Sequence, residues 1–261
     1  MEGCIFRENK APEGGGLAAT ESALLLSDCL FERNSSQRGG GVCLWGMRGL
    51  CLVKGCTFIE NKSQLKYLPE ESLEDIGPAQ WEEQEGLGGG LWVGSSQLKV
   101  VDCAFSGNGA SVAGGGLACV ASKILLQGTQ KEPLLLQENR ARSGGAVFVV
   151  GGYDSESRSV VKMQHVECER NFGQRGGGGL LATGGSTIQA EYVRFEHNAG
   201  DETGSQGGGV YLLHGAELIG TQLAFNASQR DGARATGQSA AAMEEARLAA
   251  ERLAEATRAN E

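Results

Sequence analysis

The chain has 261 residues, of which 42 are glycine and only four are proline. Because the glycines follow no three-residue period and 40% of the residues are apolar, a collagen helix and a fully disordered chain are both excluded. A net charge of -9 gives no general attraction to phosphate backbones, so we expect no nucleic-acid partner. No apolar run approaches about 18 residues, so no membrane span is expected, and no signal sequence is visible at Met1.

A motif of the form Cys-x-Phe-x-x-Asn recurs along the chain, first as Cys4, Phe6 and Asn9. A glycine cluster follows each copy, and the first cluster covers residues 14–16. The asparagines of the seven copies are Asn9, Asn34, Asn61, Asn108, Asn139, Asn171 and Asn198. Successive asparagines are 25 to 32 residues apart, except for one gap of 47 residues. A period of this length predicts stacked structural units.

Each period contains three short stretches in which apolar residues alternate with others, as around Leu17, Leu24 and Cys29. This alternation is typical of strands with one buried face. We therefore predict an all-β fold, a right-handed single-stranded parallel β-helix of about seven coils over residues 1–229. A leucine-rich repeat has a similar period, but its Leu-x-x-Leu-x-Leu line is absent from this sequence.

The pairing of Gly-Gly-[Ala/Gly]-[Leu/Val] with Phe-x-x-Asn resembles the repeats of the chlamydial polymorphic outer membrane proteins, in the pectin-lyase-like group of right-handed β-helices. The resemblance covers residues 4 to about 225. It implies a non-enzymatic structural or adhesion module at a cell surface, within a longer protein. The alternative on the same scaffold is a carbohydrate-binding or carbohydrate-active protein of lyase or hydrolase type. The surface location rests on this resemblance alone.

The repeated residues have structural interpretations. The Cys and Phe of each motif are two positions apart, so both are expected to point inward and to stack in columns. In-register Cβ atoms would lie about 4.8 Å apart, farther than a disulfide favours, so we expect the eight cysteines to be free buried thiols. The asparagines are expected to form a ladder at a turn, where Asn tolerates a left-handed backbone. Asn34 and Asn61 match the glycosylation pattern, but we assign both to this ladder.

Residues that could carry chemistry are sparse. The glycine clusters precede strands and lack the Gly-Lys-[Ser/Thr] of a phosphate-binding loop, and no Cys/His spacing indicates a metal site. We therefore expect no cofactor, no metal and no enzymatic activity. His165 and Glu167 face outward on one strand and could form a local pair, whereas His197 and His214 lie elsewhere in the repeat.

Residues 62–87 interrupt the repeat and are predicted to form an acidic insertion in a turn. Pro69 followed by acidic residues predicts the start of a helix. The apolar Leu65 and Trp81 imply that the insertion folds back onto the coils, and a neutral surface loop is the alternative. Its acidic residues are Glu70, Glu71, Glu74, Asp75, Glu82, Glu83 and Glu85.

One outer side of the predicted coils carries no charge. Its aromatic positions are Trp45, Trp92, Phe148 and Tyr211, and Trp81 of the insertion is expected at its edge. We predict a candidate binding face for a protein partner or for sugar rings, whose apolar faces stack on aromatic rings. Coverage of this side by the insertion and the tail is the alternative.

The two ends of the sequence differ. Residues 230–261 are predicted to form a linker and a C-terminal α-helix that starts near Ser239 and either caps the coils or stands free. Met1 precedes Cys4 by three residues, so the first coil is expected to be uncapped. Self-association through this coil is therefore expected, because uncovered strand edges pair readily.

Overall fold

The structure is a computed structural model, and it describes residues 1–49, 51–65, 81, 84–151, 158–201 and 206–226. Strands make up nearly all of the regular structure in these residues. In chain order they are β1 (Ile5–Arg7), β2 (Leu17–Thr20), β3 (Leu24–Ser27), β4 (Leu30–Glu32), β5 (Ser35–Ser36), β6 (Val42–Trp45), β7 (Cys51–Lys54), β8 (Thr57–Ile59), β9 (Lys62–Ser63), β10 (Leu91–Gly94), β11 (Gln97–Val101), β12 (Ala104–Ser106), β13 (Gly109–Ala110), β14 (Leu117–Val120), β15 (Lys123–Gln127), β16 (Leu134–Gln137), β17 (Arg140–Ala141), β18 (Val147–Val150), β19 (Val160–Glu169), β20 (Phe172–Gly173), β21 (Leu180–Thr183), β22 (Thr187–Glu196), β23 (Ala199–Gly200), β24 (Val210–Leu212) and β25 (Glu217–Asn226).

The strands stack into a right-handed parallel β-solenoid of about six turns, which confirms the predicted fold class. Face A is the seven-stranded sheet β2-β6-β10-β14-β18-β21-β24. Face B contains β3, β7, β11 and β15, and face C contains β1, β4, β8, β12 and β16. The ten-residue strands β19, β22 and β25 continue from face B into face C, which joins the two faces into one twelve-stranded sheet.

Each coil also has a short fourth strand that the sequence pattern did not reveal. Face D is the six-stranded sheet of the two-residue strands β5, β9, β13, β17, β20 and β23, directly after the ladder asparagines. Two residues are too few to show an alternating pattern, so period-two analysis finds only three strands per coil.

The register keeps equivalent residues of successive coils in contact. Phe58 pairs with Phe105 although an insertion separates them in sequence, so the insertion leaves the stack unchanged. The rings of Phe6 and Phe31 have centroids 4.7 Å apart, and those of Phe58 and Phe105 are 4.5 Å apart. This stack, with the inward residues of faces A and B, forms a continuous apolar core.

The asparagine ladder is confirmed and has a defined bonding pattern. The Oδ1 of Asn108 accepts bonds from the backbone N–H and the Nδ2 of Asn61, both at 3.0 Å. The Nδ2 of Asn108 donates to the Oδ1 of Asn139 and to the carbonyl of Phe58. The same bonds recur along the ladder, so each of the five asparagines between Asn9 and Asn198 connects three successive coils.

The ladder asparagines do not adopt the left-handed backbone that the sequence analysis expected. The residue before each asparagine does so instead, as at Glu60 (φ 52°) and His197 (φ 53°). The backbone N–H of this left-handed residue donates to a carbonyl of the next coil, as from Glu60 to Ser106, whereas the asparagine reaches the next coil with its side chain. The first glycine of each cluster is also left-handed, as at Gly88 (φ 64°).

Serine and cysteine form ladders of the same kind at the two other bends. The backbone N–H of Ser96 donates to the Oγ of Ser122 at 3.0 Å. The backbone N–H of Cys29 donates to the Sγ of Cys56 at 3.4 Å, and the Cys56 thiol donates to the carbonyl of Lys54. All eight cysteines are free, as predicted, but those of the motif are hydrogen-bonded at a bend in addition to packing as small apolar groups.

Several predictions concern residues that lie outside the described part of the chain. They are the helix start at Pro69, six of the seven acids of the insertion, and the linker and C-terminal helix over 230–261. In the first coil Cys4, Phe6 and Leu17 are only partly buried. Self-association through this coil stays a prediction.

Candidate functional site

The outer side of face A was the candidate binding face, and most of it is buried. Trp92, Phe148 and Trp81 expose 1%, 1% and 2% of their surface, whereas Trp45 and Tyr211 are half-buried. The Trp81 ring lies 4.8 Å from that of Phe148, and the Trp45 ring stacks on Trp92 at 5.5 Å. These five side chains do not form an open aromatic platform, because they belong to a second apolar cluster outside the coil.

The described residues of the insertion contribute to this second cluster. Trp81 is part of it, and the half-buried Leu65 packs against it. The backbone N–H of Leu65 also donates to the Oγ of Ser111, which ties this end of the insertion to the solenoid. These contacts place the described residues Leu65 and Trp81 of the insertion against the outer side of face A.

An open cleft lies elsewhere, at the bend between faces B and C. It has a volume of about 240 Å³. One wall is the loop between β15 and β16, where the bend is longer than in the other coils, and the floor comes from the equivalent bend of the following coils. The lining residues are Thr129, Gln130, Pro133, His165, Glu167, Tyr192, Arg194 and Gln222.

Three of these residues occupy the same bend in successive coils. His165, Tyr192 and Gln222 all have a left-handed backbone, with φ between 50° and 55°, which directs their side chains away from the core. The imidazole of His165 stacks on the Tyr192 ring with centroids 4.7 Å apart and planes 12° apart. Tyr192 remains 42% exposed, so its ring is accessible from the cleft.

The charged side of the cleft comes from face C. Glu167 and Arg194 are register partners on the neighbouring strands β19 and β22, and their side chains form an ion pair at 3.4 Å. Arg194 also donates two hydrogen bonds to Glu196, at 2.6 and 2.9 Å. These bonds and the nearby Glu167 and Glu169 carboxylates raise the pKa of Arg194. The guanidinium is therefore held in place by acidic groups on two coils.

Two of the cleft residues, His165 and Glu167, were expected to face outward on one strand as a local pair. In the structure each engages a residue of the next coil instead, Tyr192 and Arg194 respectively. A usable signal was present, because Tyr192 occupies the position in its repeat that His165 occupies in the preceding one. His214 lies apart at the bend between faces A and B, beside Thr183, and His197 lies at the bend before Asn198.

In the described part of the chain, no group of three or more His, Cys, Asp or Glu side chains is arranged to hold a metal ion. None of the described residues belongs to a helix that has the length and apolar character needed to cross a membrane. Searches for relatives find no matching protein-family model, no matching curated protein and no matching solved structure.

Proposed function

We propose that this protein is a non-enzymatic interaction module, in which a rigid β-solenoid presents a recognition cleft on its flank. The observation that carries the proposal is the way the cleft residues are held. Glu167 is bound by Arg194, and His165 is packed on the ring of Tyr192. Fixed rings and charges suit recognition, because little side-chain freedom remains to be lost when a partner binds.

The wider biological role follows from the resemblance noted in the sequence. Repeats like those of the chlamydial polymorphic outer membrane proteins support a role in adhesion or partner contact at a cell surface. The stacked ladders of Asn, Ser and Cys support such a mechanical role, since they hold each coil to its neighbours by buried hydrogen bonds.

A second candidate function is carbohydrate binding, or carbohydrate chemistry of lyase or hydrolase type. One observation favours it: the accessible Tyr192 ring lies beside the carboxylate, guanidinium and amide groups of Glu167, Arg194 and Gln222. Sugar rings stack on aromatic faces and exchange hydrogen bonds with such planar polar groups.

The test compares Tyr192→Ala with His197→Ala on arrays of oligosaccharides and of synthetic peptides. His197 is a matched control, because it is also exposed and left-handed but lies outside the cleft. We expect one ligand class to bind the unaltered protein, and Tyr192→Ala to weaken that binding about tenfold or more. His197→Ala should leave it unchanged.

The same ligands serve to separate binding from catalysis. Release of new reducing ends or unsaturated sugars, abolished by Glu167→Gln, would establish the enzyme alternative. Binding that both variants retain, or no binding on either array, would reject the cleft as the recognition site.

A further inference from the structure

Face B has an outer surface that differs in charge from the rest of this acidic protein. Its outward positions carry the four exposed lysines Lys54, Lys99, Lys123 and Lys162, on β7, β11, β15 and β19. The net charge of the chain is -9, so four cations on adjacent strands form a local reversal of sign. We call these four side chains the lysine patch.

The register fixes the geometry of the lysine patch. Lys99 and Lys162 each pair with Leu125, from opposite sides, so the two lysines lie two coils apart, about 10 Å. Lys123 is one coil and two residues from both of them, about 8 Å along the diagonal. Lys54 stands in the same relation to Lys99, through the Lys99–Leu52 and Val101–Lys54 pairs.

None of the four lysines forms an ion pair in the described part of the chain, whereas Arg7 and Arg194 of face C pair with glutamates on neighbouring strands. The acids nearest by register border the patch: Asp28 and Asp102 at the bend toward face C, and Glu191 and Glu217 on the last two strands. Lysines this close repel one another, so an external anion would relieve the repulsion.

Apolar side chains lie between the charges. Leu125 separates Lys99 from Lys162, Leu52 separates Lys99 from Leu25, and both Leu52 and Leu125 are half-buried. Leu25 is 53% exposed at the edge of the same column. The middle column of face B therefore alternates leucine and lysine across four coils, from Leu52 to Lys162, which a purely anionic polymer would match poorly.

We propose that face B docks an acidic polypeptide segment that carries apolar side chains between its carboxylates. Charge complementarity with the lysine patch and contact with Leu52 and Leu125 identify this class of partner. The patch spans three coil spacings, about 14 Å, and acids follow beyond it, so its field suits a short segment. Long polyanions and anionic membranes would also meet the negative remainder of the protein.

The experiment measures binding of a fluorescent peptide that alternates glutamate and leucine, flanked by polar residues for solubility. Two control peptides replace either the glutamates with glutamine or the leucines with serine. We expect the unaltered protein to bind the parent peptide at least tenfold more tightly than either control, and to lose affinity as salt is added.

Charge reversal on the protein supplies the matched comparison. Lys99→Glu/Lys162→Glu should weaken binding of the parent peptide tenfold or more. Lys10→Glu/Lys62→Glu changes the net charge equally at exposed lysines away from face B and should stay within twofold of the unaltered protein. Circular dichroism shows whether the charge-reversed proteins are folded. If Lys99→Glu/Lys162→Glu disturbs folding, the double variant Lys99→Gln/Lys162→Gln removes the same two charges without reversing them. Tyr192→Ala should not affect this binding, so failure here is distinguishable from failure of the cleft.

Two outcomes would overturn the proposal. In the first, both charge-reversed proteins lose affinity equally, which would assign the binding to overall charge. In the second, dextran sulfate or phosphatidylserine-containing vesicles bind more tightly than the peptide and with the same dependence on Lys99 and Lys162. That result would replace the acidic polypeptide with another class of partner.

Discussion

At the residue scale, the ladder asparagines show how one polar side chain can hold a dry bend together. Asn61, Asn108 and Asn139 have no exposed surface, and each amide uses both its oxygen and its nitrogen. Replacing one of them leaves donors and acceptors of two neighbouring coils buried without partners. Such groups cost about 1 to 3 kcal/mol each.

We expect Asn108→Ala to lower the free energy of unfolding by about 3 kcal/mol or more, measured by chemical denaturation. Asn9→Ala is the control, because Asn9 is exposed and its side chain donates a single hydrogen bond, to the Oδ1 of Asn34. Its cost should be about 1 kcal/mol or less. Equal costs at the two positions would mean that the internal bonds of the ladder contribute little to stability.

The buried thiols make stability depend on pH in the alkaline range. Burial raises the pKa of Cys119 from its ordinary value near 9 to about 12, although hydrogen bonds to Ser159 and Ser122 oppose the shift. Burial, with the nearby charge of Glu13, also raises the pKa of Cys43 to about 12. Well below pH 9 both thiols are protonated in the folded and the unfolded chain. As the pH rises from 9 to 12 the unfolded chain loses its protons first, so unfolding is favoured.

We therefore expect Cys119→Ser to be less destabilised than the unaltered protein as the pH rises through this range. A shift of three pKa units corresponds to about 4 kcal/mol at pH 12. The two proteins differ in a single ionisable group, so the difference between their unfolding free energies isolates the thiol. A difference that stays constant from pH 8 to pH 12 would show that the folded protein also ionises Cys119.

Much of the stacking of equivalent residues could be predicted from the sequence, because each repeat carries the same residue types at its bends. The asparagine and phenylalanine columns were predictable, since one motif recurs with near-constant spacing. The hydrogen bonds of the cysteine and serine ladders were not, because Ser96 and Ser122 recur without a longer motif and cysteine is ordinarily an apolar core residue. The cleft was predictable only in part, because it depends on a loop length at one bend.

At the scale of elements, face A carries apolar residues on both sides. Its inward side belongs to the main core, and its outward side packs in the second cluster with Trp81 and Leu65. The sequence pattern correctly showed an uncharged outer side, but it could not decide between a binding surface and a covered one. The burial of Trp81 in the second cluster is the observation that favours a covered surface.

We expect Trp81→Ala to destabilise the protein by about 3 to 5 kcal/mol, the usual cost of removing a buried aromatic ring. It should also increase binding of a hydrophobic dye, because Phe148 and Trp92 lose their cover. Trp45→Ala serves as the comparison, since Trp45 is half-buried and its loss should cost less. If Trp81→Ala changes neither stability nor dye binding, the insertion does not cover face A.

At the scale of the whole molecule, each coil contacts chiefly its two neighbours, because the strand pairs of faces A to D join successive coils. Stability in such a stack is approximately the sum of the coils and of the interfaces between them. Coils with a neighbour on only one side should therefore open more often than central coils. The cysteines lie at intervals along the solenoid and can report this gradient.

We expect a thiol reagent under native conditions to label Cys4 first, since it is the only cysteine with a partly exposed side chain. Cys29 in the next coil should follow, and Cys103 and Cys119, which have several coils on either side, should react last. Mass spectrometry of peptides from timed samples gives each rate. In denaturant without reductant all eight thiols should react at once. A count of four or fewer reactive thiols would indicate that the others are paired in disulfides. Equal rates for the seven buried cysteines would instead mean that the solenoid opens as a single cooperative unit, and that the ladders couple its ends as strongly as its centre.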